Sequence, residues 1–486
     1  MADDSHMTRR DFLKSGAGTT AGLALGGTGL GGATAGGPPP SARSATAGRP
    51  GRVRGANDRV RLAVCGVRGR GWDHVEGFAK IPEAEIVALC DIDQNVLHKR
   101  LADMAQRNLG QPSTYTDVRK LLDEKSIDAI SIATPNHWHS LMAIWACQAG
   151  KDVYCEKPCC HNAWEGAQLV EAVKKYNRIV QHGTQSRSAS AIREAVDHLR
   201  NGTIGDVYLA RALCYKWRDT IGHAAESPVP AGVDYDLWTG PAPLKPFTKN
   251  RFHYNWHWIW DTGNGDIGNQ GVHEMDIARW GLGLRWPSKA SAVGGHFMFD
   301  DDQQTPNTLN CAFEYDLGGG KRQMLEFEVR HWMTNHESEI GTSAFGSEGV
   351  PQAGLTAHKE MFGGSDTIGN LFYGSQGYLA IDGYDSYRIW LGRKQEPGPR
   401  GNGGGNHYQN FIDCVRSRNA DDLAAPIEEG YLSAALVHLA NASYRLGRTL
   451  QIDPQTGQVK GDDEANRLLR DGDRGYRAPY VVPEQV

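Results

Sequence analysis

Between Val60 and Cys155 short apolar runs alternate with stretches of helical pattern, and this rhythm constrains the fold more than any other feature of the chain. Val60–Cys65, Glu85–Cys90, Ile127–Ala133 and Asp152–Cys155 read as strands. Helices are expected between them, over residues 72–80, up to Leu122, and over 140–149. Strands alternating with helices at this spacing specify a parallel sheet covered on both faces. Ligands of such sheets bind beyond the carboxyl ends of the strands. Asn136, His137 and Lys157 fall at those ends.

The first strand runs into Gly66-Val67-Arg68-Gly69-Arg70-Gly71, and a helix follows. In that context a glycine turn is a phosphate seat. The first glycine makes the tight turn and the last lets helix and strand pack closely. Pyrophosphate then lies against the helix N-terminus, where free N–H groups and the helix dipole favour negative charge. The second glycine position of the dinucleotide fingerprint holds Arg68, with Gly69 one place later. That side chain either crowds the pyrophosphate or turns outward and adds a charged contact. Asp91 ends the second strand, placed to accept hydrogen bonds from the adenosine ribose and to repel a 2′-phosphate, which favours NAD over NADP. Asp93 competes for that place, and Arg68 with Lys99-Arg100 carries the charge a 2′-phosphate would need.

At 486 residues the chain exceeds what one hydrophobic core holds, about 250–300 residues, so two domains are expected. A formal charge of −5 supplies no basic face for nucleic acid. The 13 Trp suit flat ligand faces such as sugar rings. Arg9-Arg10, then Phe12-Leu13 and a Gly- and Ala-rich run to about Ala35, has the order of a twin-arginine export signal. Small-residue cleavage sites lie at 33–35 and 45–47, and a Pro-, Ser- and Gly-rich linker continues to Asn57. The run holds too little Leu, Ile and Val for a stable membrane span. Of nine cysteines, Cys65 and Cys90 sit in strand runs and Cys159-Cys160 are adjacent. Neither a disulfide framework nor a structural metal is expected from that spacing.

Thr134-Pro135-Asn136-His137, Glu156-Lys157-Pro158 and Gly271-Val272-His273-Glu274-Met275-Asp276 resemble the glucose–fructose oxidoreductase, inositol dehydrogenase and rhizopine-catabolism (Gfo/Idh/MocA) family. The resemblance runs over roughly residues 59–448. It implies an α/β protein: an N-terminal Rossmann domain, then a C-terminal α/β domain on a large open, mostly antiparallel sheet through which copies associate as a homo-oligomer. It also implies oxidation or reduction of sugars and cyclitols with NAD or NADP. With the glycine turn it gives an expected cofactor-binding set of Gly66, Arg68, Gly69, Arg70, Gly71, Asp91, Thr134, Asn136, His137, Glu156 and Lys157.

In the family the lysine of Glu-Lys-Pro sits beside the nicotinamide and the reacting hydroxyl, which maps to Lys157. An ammonium near a cationic ring has its charged form disfavoured, and it can orient the hydroxyl and share its proton transfer. The family pattern Asp-x-Gly-x-His puts the acid/base role on His273, with Asn269 where the pattern has Asp. A carboxylate raises a histidine pKa and fixes its tautomer, whereas an amide only hydrogen-bonds. Asn269 is therefore expected to leave His273 less basic, or to bind a substrate hydroxyl. Asp266 and Asp276 are candidates for the missing charge, and Asp276 also for pairing with Arg279.

Val207–Ala212 reads as a strand, with Tyr215, Trp217 and Arg218 just past it; these and Asp266 are candidate substrate-binding residues, and core packing or ion pairing explains each equally well. Residues 309–315, 324–330 and 378–381 read as strands of one sheet, and 186–201, 272–281, 407–418 and 428–446 as helices. The expected organisation is signal and linker over 1–58, Rossmann domain over 59–183, second domain over 184–452, and a polar tail over 453–486 that docks loosely or frays.

The function implied is NAD-dependent oxidoreduction of a hydroxyl on a small carbohydrate or polyol. Export to the periplasm or another extracytoplasmic space complicates it, because no nicotinamide pool is expected there. Chemistry would then be redox-neutral, with a cofactor loaded before export and retained. Paired oxidation and reduction of two sugars fits that limit, and so does a glycosidase cycle: oxidation at C3 acidifies the C2 proton, the C1 substituent is eliminated, water adds, and the ketone is reduced. Tyr215 is a candidate C2 base for it. A non-catalytic sugar- or nucleotide-binding protein on the same fold is the alternative from another class.

Overall fold

A computed structural model describes residues 59–341, 366–470 and 475–486. The twin-arginine segment, both cleavage candidates and the linker to Asn57 lie outside the described residues. Six strands, β1 (Val60–Cys65), β2 (Ala84–Cys90), β3 (Ser113–Tyr115), β4 (Ala129–Ile132), β5 (Asp152–Cys155) and β6 (Val180–His182), form one sheet. They pair in parallel in the order β3-β2-β1-β4-β5-β6. That is the doubly wound order, with its switch point between β1 and β4, where ligands of open α/β sheets bind. Every residue of β4 and β5 is buried, as a sheet covered on both faces requires.

The helix expected over 140–149 starts earlier, spanning Asn136–Gln148 from a cap at Pro135. Proline's missing N–H costs nothing at a helix start. Asn136 and His137 therefore stand in the first helical turn, directly above β4.

The second sheet holds β7 (Val207–Tyr215), β8 (Lys289–Gly295), β9 (Thr308–Asp316), β10 (Arg322–Arg330), β11 (Thr367–Gly374), β12 (Gly377–Asp382), β13 (Ser386–Leu391), β14 (Glu396–Asn402) and β15 (Leu450–Gln451). Its order is β14-β13-β12-β11-β7-β10-β9-β8-β15, antiparallel throughout except where β7 meets β10. Ala210, Ala212, Phe313, Leu325 and Phe327 face the helices Ser190–Arg200, Val272–Leu282 and Ile427–Leu446 in one core. The approach is close: a Cβ on Gly271 would lie 2.2 Å from the Phe327 ring.

The chain then returns to its first half. Phe411, Ile412 and Val415 of the helix His407–Ser417 pack with Val64, Phe78 and Tyr154. The helix Ile427–Leu446 gives Ile427 and Ala434 to the Rossmann core and Leu436, Val437 and Leu439 to the other. The tail is not loose. Its helix Asp463–Arg470 buries Ala465 and Leu469, and Tyr480 and Val482 enter the Rossmann core, Tyr480 edge-on to Trp138 at 5.4 Å. So few apolar residues give no periodic signal, yet they suffice to dock on a surface already built.

One further expectation changes. Asp276 does not pair with Arg279; Arg187 grips both its oxygens at 2.8 Å, while Arg279 turns to Glu429 and Ser433. All nine cysteines are buried free thiols. Among the described residues no helix is long and apolar enough to cross a membrane.

Candidate active site

The site is built where the Rossmann switch point meets the chain between β7 and the helix Val272–Leu282. Gly66 takes a positive φ of 81°, and a Cβ there would lie 2.7 Å from the Ala133 carbonyl oxygen. A Cβ on Gly71 would lie 2.0 Å from the Gly66 oxygen, so both glycines are required by close backbone approach. Gly69 is different: it is exposed, and a Cβ on it would meet nothing within 4 Å. No side chain caps the helix Arg70–Phe78 that starts there. Arg68 is exposed and turns outward.

Asp91 accepts hydrogen bonds from the Val67 N–H at 2.9 Å and the Asp93 N–H at 3.1 Å, and burial pushes its carboxyl up to about 6. Asp93 instead caps the helix Gln94–Gln106 through the Asn95 N–H. Of the two acids, Asp91 is the one on the glycine loop. Arg100 is engaged with the Val67 carbonyl at 3.0 Å and with Asp103, and stacks over Trp72. It is not a free cation for a 2′-phosphate.

Arg70 and Glu156, expected on the cofactor, are engaged with each other at 2.7 Å, with His74 on the same carboxylate at 3.0 Å. Burial alone would raise Glu156; Arg70 and His74 outweigh it and hold the carboxyl well below its usual range. Asn136 donates to Asn264 at 3.0 Å and His137 lies 3.1 Å from the Trp238 carbonyl, so both tie the Rossmann domain to the segment between β7 and the following helix. The Thr134 hydroxyl is buried without a hydrogen-bond partner. A cradle closed by Gly66 and Gly71, open space at Gly69, an acid on the loop and an unpartnered hydroxyl at the far end together fit a dinucleotide.

Lys157, followed by a cis peptide to Pro158, donates from Nζ to the main-chain carbonyl of Asn269 at 2.6 Å. Burial pushes this amine down to about 8. Asn269 lies in a π-helical turn, Ile267–Gly271, a geometry frequent at functional sites. Its side chain turns away from His273 and donates to Asp266 at 3.0 Å. Asp266 is already held by Arg218 through two bonds of 2.7 and 2.8 Å and lies 2.8 Å from His331. It is fully buried, so it does not offer a substrate contact and does not charge His273. Asp276, bound to Arg187, does not either.

His273 is 4% exposed, its Nδ1 has no hydrogen-bond partner, and its ring lies 5.3 Å from that of Tyr384. Burial, and then the nearby Lys157 ammonium, hold it well below the usual histidine range. His273 is therefore neutral at physiological pH, in the direction the missing carboxylate implies.

The trio Tyr215, Trp217 and Arg218 is split by strand alternation. Tyr215 points to the outer face of the sheet, where its hydroxyl donates to Glu328 at 2.7 Å and lies 2.9 Å from a Glu337 carboxylate oxygen. Burial, and then the bond to Glu328, push its pKa up, the opposite of what a C2 base needs. Trp217 packs against Trp332 in a tilted ring pair, centroids 4.3 Å apart. Lys216 and Arg218 alternate inward, Lys216 to Gln270 and Arg218 to Asp266. Trp217, Arg218, Tyr254 and Trp258 line a cavity of about 480 Å³, and the Tyr254 hydroxyl lies 3.4 Å from the Asn269 amide.

Sequence reasoning missed Lys216, Gln270, Glu274, Tyr384 and His257. Gln270 joins three of them, accepting from Lys216 at 3.3 Å and donating to Glu274 at 3.0 Å and to the Tyr384 hydroxyl. Burial pushes the Glu274 carboxyl up to about 8, and pushes His257, stacked on Trp256 at 3.6 Å, down to about 3. Alternation along β7 was a usable signal for Lys216. Tyr384 sits in a hairpin turn far along the chain and carried none.

Residues 60–184 match the oxidoreductase-family NAD-binding Rossmann fold, and residues 188–310 and 401–481 match the C-terminal α/β domain of the same family. The chain belongs to the Gfo/Idh/MocA oxidoreductase family. Residues 6–26 match the twin-arginine translocation signal, so this Gfo/Idh/MocA chain carries an export signal. A Glycosyl hydrolase family 109 protein of Shewanella baltica (strain OS195) is 30% identical over 207 residues, 41% of this chain and 44% of that protein. The chain thus matches less than half the length of that relative. The fold is shared with the WlbA dehydrogenase from Bordetella pertussis, solved with NADH and UDP-GlcNAcA (TM-score 0.57, 17% identity, 81% of this chain and 99% of that one). It is also shared with aldose–aldose oxidoreductase from Caulobacter crescentus, solved with glycerol (TM-score 0.57, 17% identity, 81% and 100%).

Proposed function

We propose that this Gfo/Idh/MocA protein is a periplasmic enzyme that oxidises a carbohydrate hydroxyl with a retained NAD, the reduced cofactor being reoxidised by reduction of a second sugar. The observation that carries this reading is Lys157: a buried amine lowered to about 8, at the carboxyl end of β5, beside a neutral His273. When bound, the nicotinamide accepts and returns the hydride. Lys157 orients the hydroxyl and takes its proton, a role worth about 10²–10⁴ in rate. His273, with an unpartnered Nδ1, holds the same or a neighbouring hydroxyl. Gly66, Gly69, Gly71, Asp91 and Thr134 hold the dinucleotide.

Retention is supported by the segment from Lys216 to Asp266. It bridges Asp93 through Val233 at the ribose end, covers Trp138 and His137 through Leu237 and Trp238, and meets Asn136 through Asn264 at the other end. Cofactor exchange then requires this belt to part. The test is to purify the mature protein and follow NAD(H) through gel filtration; a protein that emerges empty and needs added NAD sinks the retained-cofactor reading.

A redox-neutral glycosidase is the second reading, in keeping with the export signal and consistent with the glycosyl hydrolase relatives. Aryl glycosides without added cofactor separate the two: released aglycone marks hydrolysis, and a keto-sugar marks net oxidation.

A further inference from the structure

We propose that the substrate is an acidic sugar, its carboxylate read by Lys216 across the π-helical turn from Lys157; this rests on the oxidoreductase reading above. Lys157 and Lys216 are held by acceptors on consecutive residues, the Asn269 carbonyl at 2.6 Å and the Gln270 side-chain oxygen at 3.3 Å. The two ammonium groups therefore stand on one turn, close enough for the charge of Lys216 to act on Lys157.

The negative charges around them are neutralised. Asp266 is consumed by Arg218 and His331, and Glu156 by Arg70 and His74. Glu274 is fully buried with Oε2 unpartnered, and its raised pKa keeps it protonated near neutral pH. Position 269, a carboxylate in the family pattern, is an amide. Lys216 itself is under-used. Its three donor hydrogens have one hydrogen-bonded partner among the described residues, Gln270, and the nearest carboxylate is the more exposed Asp366 at 3.9 Å. Its side chain is 14% exposed, so the ammonium is largely stripped of water, and its ion pair with Asp366 is long and partly exposed. Two lysines against the single, partly exposed Asp366 leave the site positive, and it attracts an anion. With the Gln270 amide donating to Glu274 and Tyr384, Lys216 is a single donor group, which suits a planar, singly charged carboxylate better than a phosphate, which calls for several donors.

The experiment uses the purified NAD-loaded protein and matched pairs, glucuronate against glucose and galacturonate against galactose. Binding is read by tryptophan fluorescence and oxidation by nicotinamide absorbance. The uronates should bind about tenfold or more tightly than their neutral partners, the order of one charge-assisted hydrogen bond. Lys216→Gln should erase that difference and Lys216→Arg should keep most of it, both melting near the wild-type temperature. Equal binding of acid and neutral sugars, or a preference that survives Lys216→Gln, overturns the proposal. Uronates that bind through Lys216 but are never oxidised support this inference and refute the oxidoreductase reading.

Discussion

The Nζ of Lys157 donates to the main-chain carbonyl oxygen of Asn269 at 2.6 Å, joining the end of β5 to the π-helical turn of the second domain. Because the acceptor is backbone, the lysine keeps its place whatever side chain stands at 269. The same contact leaves the amine buried and lowered to about 8.

Oxidation needs the neutral amine as proton acceptor. A pKa lowered to about 8 therefore gives activity that rises with pH and levels above that value. His273, neutral throughout, adds no step near its ordinary pKa. Lys157→Met should lower kcat by about 10²–10⁴ and abolish the rise while NAD stays bound. A wild-type profile flat through pH 8 would count against Lys157.

Gly69 and Gly71 should part ways under the same substitution. Gly71→Ala forces a Cβ to within 2.0 Å of a backbone oxygen and should impair folding. Gly69→Ala meets no protein atom within 4 Å, so the melting temperature should hold while NAD is lost during gel filtration. Retained NAD in Gly69→Ala would place the pyrophosphate elsewhere.

Restoring the family carboxylate should not help this protein. Asn269→Asp loses the donor to Asp266 and sets two carboxylates about 3 Å apart. The expected cost is about 1–3 kcal/mol in thermal unfolding, with no gain in His273 basicity by NMR titration.

Tyr215→Phe tests the outer face. Its hydroxyl serves Glu328 and Glu337, so the melting temperature should fall and kcat should hold. A loss of about 10² in kcat would return Tyr215 to the chemistry.

Arg187→Met leaves Asp276 buried and unpaired, which should cost about 3–5 kcal/mol. Differential scanning calorimetry reads it directly.

The strand–helix rhythm, the glycine turn, Lys157 and His273 were legible because local rules write them: apolar runs of strand length, turn glycines at fixed offsets, a helix after each. The strands β3, β6 and β15 were not, having three, three and two residues, too few to show a period. Position 269 was read as a side chain, but the fold uses its carbonyl.

What the sequence by itself determined is the Rossmann half, its glycine cradle and the presence of a lysine and a histidine in family positions. Only the tertiary structure decided which charges remain free. Arg70, Glu156, Asp266 and Asp276 all find partners 48–89 residues away, and pairing at that range is set by how layers pack, not by spacing along the chain. The same packing turned Tyr215 outward and Lys216 inward, because a strand gives alternate residues to opposite faces and only the helices beneath decide which face is inside.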